Sequence, residues 1–154
     1  MILLEQLRQR ISGRRLLILG IGNRLRADDG FGPMLIDRLQ GKTETFLLDA
    51  GDVPENYLGV IESAAPEVVL VVDAVDLGAQ PGDVALIEID QLSETTSSTH
   101  NASLSLLFKV LKVPDVFIIA VQPQTTAFGA PISQPVVGAL QVLEKLFQEL
   151  AITH

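Results

Sequence analysis

Apolar residues in this chain follow two rhythms. One is the short unbroken run: Leu16–Leu19, "TFLLDAG" ending at Asp49, "EVVLVVDAVD" ending at Asp73, "GDVALIEI" and "DVFIIAVQP". Runs of this length, rich in Val, Ile and Leu, predict strands covered on both faces. The other is a spacing of three and four, which predicts helices. Phe31–Gln40 has Pro33 in its first turn and Gly41 just past its end, the usual start and stop residues. "PENYLGVIES" places Tyr57, Leu58 and Ile61 on one face. "ASLSLLFKVLK" does the same with Leu104, Leu107, Phe108 and Leu111. "PVVGALQVLEKLFQEL" turns Val136, Leu140, Leu143, Phe147 and Leu150 inward. The opening "MILLEQLRQRISGRR", broken by Glu5, Arg8 and Arg10, reads as a short amphipathic helix.

Strands alternating with helices predict an α/β sandwich around a mainly parallel sheet. One connection departs from that rule. "AVDLGAQPG" is nine residues rich in glycine and proline, and a parallel crossover needs about a dozen or more. The strand at Val84–Ile89 therefore runs antiparallel. The polar run "SETTSST" (93–99) is a loop that carries the chain back to the start of a helix at His100. Sites in open α/β sheets form beyond the carboxyl ends of the parallel strands. Asn23 through Asp29, Asp49, Asp73 and His100 all converge there by topology.

Composition narrows what such a site serves. The 154 residues suit one domain, 1–154, with residues 1–14 as a helical extension. No apolar stretch is long enough to span a bilayer, and the start lacks a signal-peptide core, so a cytoplasmic protein without a membrane partner is expected. The absence of cysteine excludes disulfides, thiolate metal sites and cysteine nucleophiles. A net charge of −8 disfavours nucleic acid and suits a folded protein or a cation.

Each candidate has a plain reading beside a chemical one. Asp28 and Asp29 precede a helix and could cap it, hold a metal or move a proton; capping requires only one of them. Asp73 could satisfy a turn, yet a carboxylate ending an apolar strand is costly to desolvate without a purpose. Asp76, three residues on, reads as the turn acid. His100 is one of two histidines, the other being the terminal His154. A helix start disfavours imidazolium, so a neutral, ligating ring is expected. One imidazole and two carboxylates form an incomplete shell suited to zinc, nickel, iron or manganese. "GIGN" resembles a dinucleotide turn, but Leu25 stands where the third glycine belongs. Its glycines serve a sharp turn, and Asn23 is placed to hydrogen-bond across the site. No Gly-x-Ser-x-Gly elbow is present.

Taken together, "GIGNRLRADDGFGP", "DAGDVPEN", "VVDAVDLGAQPGDV", "STHNASLSLL" and "AVQP" resemble, in order and spacing, the hydrogenase maturation endopeptidases, closest to the type serving hydrogenase 3. The resemblance spans roughly Leu16 to Gln148. It implies a three-layer α/β/α sandwich with a twisted five-stranded sheet, one strand antiparallel. It implies an endopeptidase, classed with aspartic-type peptidases, that removes the C-terminal extension of a nickel-loaded [NiFe] hydrogenase large subunit precursor. Nickel would be borne by the substrate, with no organic cofactor, and the enzyme would be a monomer. The family's metal-binding positions fall on Asp29, Asp73 and His100. Asp29, Asp73 or Asp28 would carry catalysis, and Asn23, Asp49 and Gln122 would contact substrate. Two other functions compete: a non-catalytic nickel escort protein using the same ligands, and peptidyl-tRNA hydrolase, whose opening also runs from strand into Gly-x-Gly-Asn. The negative charge and the lack of a basic run after Asn23 argue against the second.

Overall fold

A computed structural model describes residues 2–91 and 101–153. In chain order the elements are α1 (Ile2–Ile11), β1 (Leu16–Gly20), α2 (Phe31–Leu39), β2 (Phe46–Asp49), α3 (Leu58–Ala64), β3 (Val68–Ala74), β4 (Val84–Glu88), α4 (Asn101–Val110), β5 (Asp115–Val121) and α5 (Gln134–Thr153). The strands form one sheet in the order β2-β1-β3-β5-β4. All neighbours are parallel except β4 and β5, which are antiparallel as the short nine-residue connection requires.

Strand β3 is central and buried along its whole length. Alternate side chains of a strand point to opposite faces. Val68, Leu70 and Val72 therefore pack with α1, α2 and α5, through Leu7, Leu35, Leu140 and Leu143. Val69 and Val71 pack on the other face with Ile61 of α3 and Leu104 and Leu107 of α4. The result is the expected three-layer α/β/α sandwich. The predicted inward residues of α5 are all buried, as are Leu104, Leu107 and Leu111, while Phe108 is half-buried.

Two boundaries differ from the sequence pattern. "PENYLGVIES" begins as a 3₁₀ turn over Pro54–Tyr57 and becomes α-helical only at Leu58. Proline fits a first turn because it has no N–H to leave unpaired. The helix then stops at Ala65, whose φ of 47° is left-handed. The loop 93–99 lies outside the described residues.

The extension helix is pinned at the amino edge of the sheet. The Arg10 guanidinium donates to both oxygens of Asp115 (3.1 and 2.6 Å) and both oxygens of Glu88 (2.6 and 3.0 Å). It also stacks over the Phe117 ring at 4.0 Å. Hydrogen bonds from Arg10, and secondarily Arg14, hold the Asp115 carboxyl below the usual carboxylate range. This knot is at the opposite end of the strands from the residues singled out above.

Candidate active site

Strand β1 ends at Gly20, level in register with Asp49 of β2 and Val72 of β3. Beyond it the Ile21 N–H still donates to the Val72 carbonyl (3.0 Å). The chain then turns at Gly22, whose φ is +147°. A Cβ at Gly22 would lie 1.8 Å from the Asp29 carbonyl oxygen. Glycine is thus what allows the Asp29 segment to fold back over the strand end. Ten residues on, a Cβ at Gly32 would lie 2.4 Å from the Val72 carbonyl oxygen, so glycine also seats the start of α2 directly on the sheet.

The loop between these glycines is organised by its own polar groups. The Asn23 N–H donates to Asp29 Oδ2 (2.9 Å), and Asn23 Oδ1 accepts from the Leu25 N–H (2.9 Å). Asp28 and Asp29 sit in a 3₁₀ turn over Ala27–Gly30, entered through Ala27 at a left-handed φ of 51°. A non-glycine residue in that region is strained, a condition typical of functional loops. Neither carboxylate caps α2: the N-cap is Gly30, with no side-chain capping bond. The helix-capping reading therefore fails for both acids.

The two neighbours differ in what surrounds them. Asp28 is fully buried. Its Oδ1 accepts from the Ser133 N–H (2.7 Å), and its Oδ2 accepts from the Ser133 hydroxyl (2.7 Å) and the N–H groups of Gln124 (2.8 Å) and Thr125 (3.2 Å). A carboxylate offers about four lone-pair positions. Four donors crowd its two oxygens, one on Oδ1 and three on Oδ2, and the group is fully buried, so it is held as an internal anchor rather than presented to the crevice. Asp29 accepts one hydrogen bond, from Asn23, and among the described residues nothing donates to its other oxygen.

Asp73 is wholly buried, one residue from the end of β3 and paired in register with Ala120. By strand alternation it faces the layer of α3 and α4. Strand order 2-1-3 makes the gap between β1 and β3 a switch point: the chain leaves β1 toward β2 through α2 on one face, and leaves β3 in the opposite direction. Crevices form at such points. Asp29 and Asp73 stand on its two sides. His100 lies outside the described residues, but α4, beginning at Asn101, reaches β5 through a short turn. The helix therefore starts at the carboxyl edge, and its packing against Pro54–Tyr57 agrees with that placement. Among the described residues, no three His, Asp or Glu side chains gather closely enough to hold a metal ion.

The remaining candidates are tied into the frame. Asp49 accepts from Arg24 Nη2 (2.7 Å) and from the Gly51 N–H (3.0 Å). Arg24 also forks onto Asp37 of α2 (2.5 and 3.0 Å). Hydrogen bonds to Asp37, then Asp49, raise the guanidinium's pKa well above its ordinary value. Gln122 Oε1 accepts from Leu77 (2.6 Å) and Ala79 (3.2 Å), and its Nε2 donates to Asp76 Oδ1 and the Pro123 carbonyl (both 3.2 Å). The Gln122 amide thus braces the 75–83 loop. Asp76 is the turn acid expected of it, accepting from the Gly78 N–H (3.1 Å). Sequence reasoning missed Arg24 and Ser133. Nothing in their local pattern signals a partner, because each bonds a residue that is distant along the chain.

Comparison with known proteins gives a consistent picture. A family model described as hydrogenase maturation protease matches residues 34–149. The hydrogenase 3 maturation protease of Escherichia coli K12 is 33% identical over 132 residues, covering 82% of this chain and 85% of that protein. The crystal structure of a [NiFe] hydrogenase maturation protease HycI from Thermococcus kodakarensis superposes with a TM-score of 0.82 at 30% identity, covering 95% of this chain and 98% of that one. The solution structure of the endopeptidase HycI from Escherichia coli gives 0.77 at 31% identity, over 84% and 86% of the two chains.

Proposed function

The chain belongs to the hydrogenase maturation protease family, and from that membership we propose that it removes the C-terminal extension of a nickel-loaded [NiFe] hydrogenase large subunit precursor. Asp29, Asp73 and His100 engage the nickel carried by the precursor. The observation that carries this reading is the placement of Asp29 and Asp73 on the two sides of the β1/β3 crevice, with Asp29 keeping one oxygen without a described donor. Carboxylate and imidazole are apt ligands for nickel. A site that needs the metal to complete its contacts cuts only precursor in which the metal is already loaded.

Hydrolysis then follows aspartic chemistry. A water oxygen attacks the scissile carbonyl carbon while its proton passes to Asp29. The C–N bond breaks, and that proton goes to the leaving amine nitrogen. Nickel beside the carbonyl stabilises the negative charge that develops on its oxygen. Asp28 takes no part in proton transfer, since four donors occupy its carboxylate; it is a positioning residue. Asn23 fixes Asp29 through its backbone N–H. Asp49 and Gln122 shape the neighbouring walls of the crevice.

The test is cleavage of purified nickel-loaded precursor, followed by mass spectrometry. Asp29→Ala, Asp73→Ala and His100→Ala should each slow cleavage by at least about 100-fold while keeping a native circular dichroism spectrum. Nickel-free precursor should stay intact. Full cleavage by all three variants would refute the assignment.

A further inference from the structure

The loops after β1 and β5 are joined above the end of β3. The Asp28 N–H donates to the Thr125 carbonyl (3.1 Å), the Gly129 N–H donates to the Leu25 carbonyl (2.8 Å), and the buried Asp28 carboxylate binds the second loop at both ends. Each loop holds one large apolar side chain out in solvent: Leu25 is 63% exposed and Phe128 is 72% exposed. Phe128 sits at the tip of a tight turn closed by the Ala130 N–H to the Ala127 carbonyl (3.1 Å). The backbone beneath both residues is fixed, so their exposure is part of the fold. Apolar groups displayed together in this way mark a surface that is covered in use. Next to Leu25 in the chain, Arg26 is exposed and makes no ion pair among the described residues.

We propose that Leu25, Arg26 and Phe128 form the substrate rim of the crevice, seating an extended stretch of the precursor polypeptide that carries an apolar side chain beside an acidic one. Three features select that occupant. The rim is continuous with the Asp29 loop, so a chain lying on it runs to the reacting bond. Two isolated side chains on separate loops grip a narrow strand of polypeptide better than a flat subunit face. A net charge of −8 opposes an anionic membrane or nucleic acid, whereas Arg26 supplies a local cation for one carboxylate.

This inference rests on the peptidase reading, and the experiment separates the two. Initial rates on nickel-loaded precursor are measured for the wild type, Leu25→Ser, Phe128→Ser and Arg26→Ala. Absence of cleavage by the wild type would overturn the peptidase reading together with the rim. With wild-type cleavage established, Leu25→Ser and Phe128→Ser should each raise KM about tenfold, from the lost burial of one apolar side chain, and hold kcat within about twofold. Their Tm should match the wild type, because both side chains are exposed. Arg26→Ala should raise KM about threefold and weaken its dependence on salt. Wild-type KM in both serine variants would overturn the rim. So would sedimentation showing that they dissolve a dimer with KM unchanged, since a second copy would then be the occupant. A wild-type KM and salt dependence in Arg26→Ala would overturn the acidic preference.

Discussion

Replacing Asp28 discriminates between an anchor and an acid–base group more sharply than any other change. In Asp28→Ala four donors lose their acceptor. The Ser133 N–H and hydroxyl are buried, and leaving each unsatisfied costs about 1–3 kcal/mol. The N–H groups of Gln124 and Thr125 are partly open to water and rehydrate, so each contributes about 0.5–1 kcal/mol. The sum is about 3–8 kcal/mol, centred on ~5.5 kcal/mol. For a chain of this size, at about 2–4 °C per kcal/mol, Tm should fall by about 11–22 °C at that centre. Asp28→Asn separates the roles. Its one remaining oxygen, placed at the Oδ2 position, still accepts three of the four bonds. Its amide then faces the Ser133 N–H, donor against donor, costing about 2 kcal/mol. As a positioning residue, Asp28→Asn should therefore lower Tm by about 4–8 °C and keep kcat within about tenfold of the wild type. Loss of a general base costs about 100- to 10,000-fold. Thermal melts and precursor cleavage on the same sample decide between them. An Asp28→Asn protein with native Tm and a kcat reduced 1,000-fold or more would refute the anchor.

Gly22→Ala should prove more damaging than its size suggests. The new methyl would meet the Asp29 carbonyl oxygen at 1.8 Å in a backbone conformation that alanine rarely adopts; a loss of about 2–4 kcal/mol is expected in urea unfolding, with cleavage falling further as the Asn23–Asp29 bond opens. A variant with wild-type urea midpoint and wild-type rate would contradict this. Acid should loosen the α1 knot. The folded-state pKa of Asp115 is depressed, chiefly by Arg10, so its stabilising share is present above the unfolded value near pH 4 and is lost as pH falls through the lower folded value. Asp115→Asn should be less stable at pH 6 and show a flatter fall in Tm below pH 4; a parallel fall in both proteins would count against the linkage.

The strand runs and helix spacings were legible because burial on both faces of a sheet demands them. The reversal of β4 was legible too, from nine residues too few to cross back. That Asp29 follows β1 and Asp73 lies near the carboxyl end of β3 was legible from their places after those apolar runs. What the chain did not display is how adjacent acids divide their work. Asp28 and Asp29 share type, neighbours and turn, yet one is consumed by donors from residues 124–133 and the other, among the described residues, accepts from Asn23 alone. The Asp28 pairings join positions about a hundred residues apart, and no local pattern encodes them. Arg24, which reaches Asp37 and Asp49, and Gln122, whose amide braces the 75–83 loop, likewise bond partners outside their own local pattern.

The backward run of β4 reaches beyond topology. Because Val84 starts level with Val121, the whole connection from β3 to β4 stays on the crevice side. The stretches 21–30, 50–57, 75–83 and 122–133 all gather there on a scaffold whose strands need not change. Descendants of this architecture can acquire new clients by lengthening or recolouring those four turns while the core stays as it is.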